Sequence, residues 1–148
     1  MSNQKHDLSP MHVLGVSCRT SDTEATRDIG ALWARAGALG LLSSRPEAFA
    51  VYHQYVVENG HYEVTVTVGR AARADQVVPE GLSLVEVPAQ HGSIIRTDGN
   101  IPSVQQGWAS VWTRWPDGAA RSFVADLEQW KMGADGRPAS ADIFFGLK

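Results

Sequence analysis

The chain has 148 residues, 43% of them hydrophobic and 20% charged, with a formal net charge of −3 and one cysteine. That length fits one domain able to bury about two thirds of its unfolded surface, so it needs neither disulfide nor metal for stability, and the lone Cys18 excludes an internal disulfide and a cysteine-cluster metal site. The acidic balance and the lack of any Lys/Arg run argue against direct nucleic-acid or membrane binding, and no stretch approaches the roughly 20 apolar residues of a membrane span.

Residues 1–10 are polar, end at Pro10 and read as a disordered lead-in. They lack the apolar core of a secretion signal, so the expected compartment is the cytoplasm. Residues 11–19 form an apolar strand in which Cys18 packs inward. Ser21 and Glu24 stand at capping-box spacing before a helix whose apolar residues Ile29, Leu32, Trp33, Ala36 and Leu39 line one face, fraying at Gly37 and Gly40. Residues 48–57 and 61–69 flank Asn59-Gly60, the strongest short hairpin signal. On the first of these strands Phe49, Val51, His53 and Tyr55 share one face, with Tyr52 and Gln54 on the other. On the second, Tyr62, Val64, Val66 and Val68 form the apolar face.

Residues 70–79 read as a loop, 81–88 as a strand stopped by Pro88, and 91–96 as another. After the turn at Asp98-Gly99-Asn100, Ser103 and Gln106 repeat the capping logic. Val104, Trp108, Val111, Trp112 and Trp115 then recur at helical spacing until Pro116-Asp117-Gly118. Residues 122–131 alternate as a strand, with Phe123, Ala125 and Leu127 on one face and Val124, Asp126, Glu128 and Trp130 on the other. A Gly-rich turn over 133–138 leads to a last strand over 141–147.

The order strand, helix, hairpin thus occurs twice, over about 11–70 and 81–148. Leu32-Trp33 corresponds to Val111-Trp112, Tyr55 to Trp130, and His53 to Glu128. The expected fold is α+β: two pseudo-twofold-related βαββ repeats forming an antiparallel sheet with two helices and a central ligand cleft.

Glu128 is the pivotal residue. A carboxylate flanked by aromatics inside a small sheet faces a desolvation cost of several kcal/mol unless it is paired or serves a ligand; the plainer alternative is a strand face in water. Tyr52, Tyr55, Trp130 and Phe145 are the aromatics expected to wall a groove, although only one face of each strand can do so. Trp33 and Trp112 fit either core or cleft, while Trp108 and Trp115 are expected between helix and sheet. His53 is either a second polar group of the cleft or a hydrogen-bonded bystander. No metal spacing, phosphate loop, catalytic triad or haem-ligating His of clear position is found, so no cofactor is expected.

Taken together, Leu-Trp at 32–33, Val-Tyr-x-x-Tyr at 51–55, Tyr-Glu-Val-x-Val-x-Val-Gly at 62–69, Pro-Glu-Gly-Leu at 79–82, Val-Pro-Ala at 87–89, Trp-x-x-x-Trp at 108–112 and Asp-Leu-Glu-x-Trp at 126–130 resemble a known pattern. It is that of the GyrI-like (gyrase-inhibitory-protein-like) effector-binding domain, found in AraC-type and MerR-type multidrug-responsive regulators and as standalone proteins. The resemblance covers about residues 11–148 and implies a cleft in which Glu128 attracts lipophilic cationic compounds, with Trp130 where a tyrosine is usual. No helix-turn-helix flanks it here, so the resemblance implies the standalone, non-enzymatic form, for drug sensing or sequestration, and any role in transcription would need a separate regulator as partner. The family also implies two alternatives: hydrolysis of strained-ring natural products in the same cleft, and protein-directed inhibition of the gyrase type.

Overall fold

The computed structural model describes residues 3–114 and 120–148. In chain order the elements are β1 (Asn3–Leu8), β2 (Met11–Ser21), α1 (Ala25–Ala38), β3 (Glu47–Glu58), β4 (His61–Ala72), β5 (Ser83–Val87), β6 (Gln90–Asp98), α2 (Ile101–Arg114), β7 (Ala125–Met132) and β8 (Pro138–Gly146). The strands make one sheet in the order β1-β6-β8-β7-β3-β4-β2-β5. Every neighbouring pair is antiparallel. This is the expected α+β architecture. Each hairpin puts its first strand at the sheet centre, where β3 meets β7 with Ala50 opposite Glu128.

Helix α1 packs over β2 and β4, and α2 over β6 and β8. The central strands β3 and β7 are therefore left between the helices, which is what opens a cleft. Leu32 and Ala36 of α1 pack on Val16, Val64, Val66 and Val68 of the sheet. Val104 and Val111 of α2 pack with Ile95, Ile143 and Phe145 of the sheet. The far face of the sheet buries a third cluster that includes Val13, Phe49, Val51, Leu127 and Phe144. Among the described residues no helix is long and apolar enough to cross a membrane.

The Asn-Gly reading is fulfilled to the residue. Asn59 and Gly60, with φ of 51° and 77°, join the paired Glu58 and His61, because a two-residue hairpin loop needs positive φ at both positions.

Other expectations need correction. The lead-in is ordered from Asn3, where β1 pairs with β6 from Asn3↔Ile95 to Leu8↔Gln90. Its polar side chains gave no strand signal because it is an edge strand held by backbone hydrogen bonds, by Asp7 on His91 Nδ1 at 2.6 Å and by the His6 ring on Phe144. The first capping box does not form. Ser21 ends β2, its hydroxyl meets Thr23 Oγ1 at 3.1 Å, and the N-cap is Glu24 without a side-chain bond. Helix α2 starts earlier than read, because Asn100 Oδ1 accepts the Ser103 amide at 2.9 Å and serves as the cap. Leu39 lies past the end of α1 and is exposed. Cys18 is half-buried beside the core under α1. Trp115 and the helix stop at Pro116, Asp117 and Gly118 lie outside the described residues.

Candidate functional site

The cleft floor follows from strand parity and one break in it. On β7, Asp126, Glu128 and Trp130 turn toward the helices, while Ala125 and Leu127 join the far-face core as the alternation requires. On β3 the residues opposite Trp130 and Glu128 are Ala48 and Ala50, whose small side chains leave room above the floor. Strict alternation would send Tyr55 to the far face with His53. The ladder between β3 and β4 instead slips between His53 and Val56, where Gln54 adopts φ 56°. This bulge inserts one residue and brings Tyr55 back to the side of Tyr52.

The resulting cavity has a volume of ≈ 570 Å³, and its walls include Trp33 on α1, Trp108 and Trp112 on α2, and Tyr52, Tyr55, Tyr62, Glu128 and Trp130 on the sheet. Tyr62 stacks on Trp112 with ring centroids 4.7 Å apart and planes 6° apart, and Tyr52 leans on Trp108 at 4.9 Å. Trp33 meets Trp130 edge-on at 5.6 Å. Beyond that pair a second, mainly apolar cavity of ≈ 810 Å³ extends over Leu42, Pro46, Met132 and Pro138.

Glu128 is only 4% exposed. Its Oε2 accepts from the Tyr52 hydroxyl and from Trp108 Nε1, both at 2.7 Å, and its Oε1 accepts from Trp130 Nε1 at 2.8 Å. All three donors are neutral, and among the described residues no cation pairs with it. Asp126, two residues earlier on the same face, is treated differently. It forms a fully buried ion pair with Arg121 and accepts from the Tyr55 hydroxyl at 2.7 Å and the Gly146 amide at 2.9 Å. Burial pushes the Asp126 carboxyl above its ordinary range, opposed chiefly by Arg121.

Burial, followed by the neighbouring carboxylates Glu128 and Asp126 respectively, holds the Tyr52 and Tyr55 phenols well above the ordinary tyrosine value. The stability consequence has a definite sign. A raised folded-state pKa stabilises fully below the unfolded value, and that contribution is lost as pH climbs past it. Unfolding free energy should thus decline once pH passes about 10, the ordinary tyrosine value, and Tyr52→Phe should flatten the decline in urea titrations at increasing pH.

Of the residues singled out in the sequence, the fold brings Glu128, Trp130, Tyr52, Tyr55, Trp33 and Trp112 together around one cavity. Two do not join them. Phe145 is fully buried in the core under α2. His53 lies opposite Ala125 on the far-face register, with Nε2 3.1 Å from Thr67 Oγ1; burial, then Arg19, hold its imidazole below the ordinary range. His53 therefore cannot be the repeat counterpart of Glu128, because the two occupy opposite faces.

Trp108, expected in the core, lines the cavity and donates to Glu128. Phe123, with φ 54°, leaves the face of Ala125 and Leu127 and packs at 5.2 Å from Tyr55. Tyr62 and Arg121 were not among the residues expected at the site. Tyr62 could have been found as the aromatic end of the helix-facing Tyr-x-Val-x-Val row; Arg121 left no comparable sign. Among the described residues no group of three metal-ligating side chains occurs.

Comparison with known proteins agrees with this geometry. The profile of the integron-associated effector binding proteins matches residues 6–144. No curated protein matches the chain. Among solved structures, an integron cassette protein from the mobile metagenome of Vibrio cholerae superposes with a TM-score of 0.79 at 18% identity, covering 99% of this chain and 95% of that one. The structure of SAV2435 bound to tetraphenylphosphonium gives 0.72 at 15% identity, with 100% and 94% covered. The C-terminal domain of EcmrR gives 0.54 at 13%, with 99% and 97% covered.

Proposed function

The chain belongs to the integron-associated effector binding protein family, and from that premise we propose that its cleft captures lipophilic aromatic cations, with Glu128 as the counter-charge. One observation carries this reading: a carboxylate 4% exposed, held by three neutral donors in an aromatic cavity, with no cation beside it among the described residues. Such a group has given up hydration that its hydrogen bonds replace only in part, and an incoming organic cation offsets the remainder. Each ring face adds about 0.5–2 kcal/mol of cation–π attraction. A cavity of ≈ 570 Å³ is of the size that encloses a drug-sized molecule.

The same arrangement suits binding better than hydrolysis. Both oxygens of Glu128 already accept hydrogen bonds, which fixes a charge in place and leaves little of it free to activate water. A relative of this fold solved with tetraphenylphosphonium supports the ligand class. Sensing or sequestration of such compounds is the role that follows.

Tetraphenylphosphonium and tetraphenylborate share one shape and carry opposite charge, so they separate charge recognition from simple apolar fit. The cation should raise the melting temperature and quench tryptophan fluorescence, and the anion should do neither. Equal stabilisation by both ions would sink the counter-charge reading.

A further inference from the structure

Next to the cleft lies a second cation-binding arrangement, and the chain fills it with its own side chain. The Arg121 guanidinium carbon sits 4.5 Å from the Phe123 ring centroid, 5.1 Å from Trp112 and 6.0 Å from Phe145. Asp126 closes the cage as its carboxylate, and neither charged side chain is exposed. Aromatic faces around a carboxylate form the cage that recognises organic ammonium groups. Phe123 holds φ 54°, a conformation costly for a bulky residue, and so completes this wall.

The occupant fits imperfectly. Arg121 Nε and Nη1 are buried without hydrogen-bond partners among the described residues, and each orphan donor has lost its hydration without replacement. A quaternary ammonium has no N–H to strand. The cage also adjoins the cleft, because Trp112 contributes to both and Tyr55, a cleft residue, holds Asp126 by its hydroxyl. On one face of β7, Asp126 and Glu128 stand about 7 Å apart along the strand. With Arg121 in place the pair of acids counts as a single negative charge.

We propose that Arg121 is a built-in cation that occupies this second cage and leaves the cleft with counter-charge for only one positive group on a ligand. The proposal rests on the reading of Glu128 as counter-charge. It assigns specificity to a residue outside the cavity wall.

Ethidium and propidium share a phenanthridinium ring system, and propidium carries one additional quaternary ammonium on a short arm. Wild-type protein should bind the two with similar affinity. Arg121→Ala vacates the cage, frees Asp126 and should raise the propidium-to-ethidium affinity ratio roughly tenfold, as one added charge pair in a partly desolvated site implies. Asp126→Asn keeps the shape of the side chain, leaves Arg121 uncompensated and should lower the same ratio. The two variants thus shift it in opposite directions, and either alone is decisive if the other fails to fold by circular dichroism. A ratio unchanged in a folded variant that still binds ethidium overturns the proposal alone. Absence of ethidium binding by wild type overturns the reading of the cleft and this proposal with it.

Discussion

Replacing Glu128 with Gln should weaken tetraphenylphosphonium binding by about a hundredfold while the protein stays folded. A desolvated counter-charge contributes on the order of 2–3 kcal/mol to holding a cation, and that range spans this factor. Fold retention follows from the hydrogen bonds. A glutamine oxygen can still accept from the Tyr52 and Trp108 side, leaving Trp130 Nε1 facing an amide N–H, or the reverse. Stranding that one buried N–H costs about 1–3 kcal/mol, and removing a buried charge without an ionic partner among the described residues offsets it. Isothermal titration with tetraphenylphosphonium, alongside melting curves of the unliganded proteins, checks both halves. Undiminished affinity in a folded Glu128→Gln protein would mean that the rings, not the carboxylate, bind the cation.

What sequence shows and hides about this site divides along physical lines. Periodicity placed Glu128, Asp126 and Trp130 on one strand face correctly because β7 is regular and its far face is core. It could not place Tyr55, because the bulge at Gln54 reverses parity and leaves no trace in the pattern of polar and apolar residues. For the helices, periodicity gave the buried stripe of Leu32 and Ala36 but not which tryptophan would sit at the edge of the cleft. Trp108 reaches Glu128 because α2 lies over β6 and β8 and not over the sheet centre, a fact of tertiary packing. Arg121 was invisible for another reason. Sequence marks an arginine as a surface residue by default, and only the assembled rings and Asp126 make a fully buried guanidinium tolerable.

Substituting Gly69 by Ala should destabilise the fold by about 3–5 kcal/mol, although the change adds one methyl group in a strand. Gly69 and Gly15 are direct partners where β4 crosses β2. A Cβ on Gly69 would fall on the Leu14 carbonyl oxygen and within 2.6 Å of Gly15 Cα, and a Cβ on Gly15 would fall on the Val68 carbonyl oxygen. Backbone on both sides cannot yield as a flexible side chain would, so the strands must part. That loosens the ladder carrying Val64, Val66 and Val68, the core beneath α1, and Val66 lies opposite Tyr52 on the cleft floor. Loss of stability and loss of cation affinity should therefore appear together in Gly69→Ala, whereas Glu128→Gln separates them. Gly15→Ala should cost a similar amount, and the double variant less than the sum, because either methyl alone already forces the same gap open. Urea unfolding of the three variants measures this, and a Gly69→Ala midpoint matching wild type would show that the two strands do not approach this closely in solution.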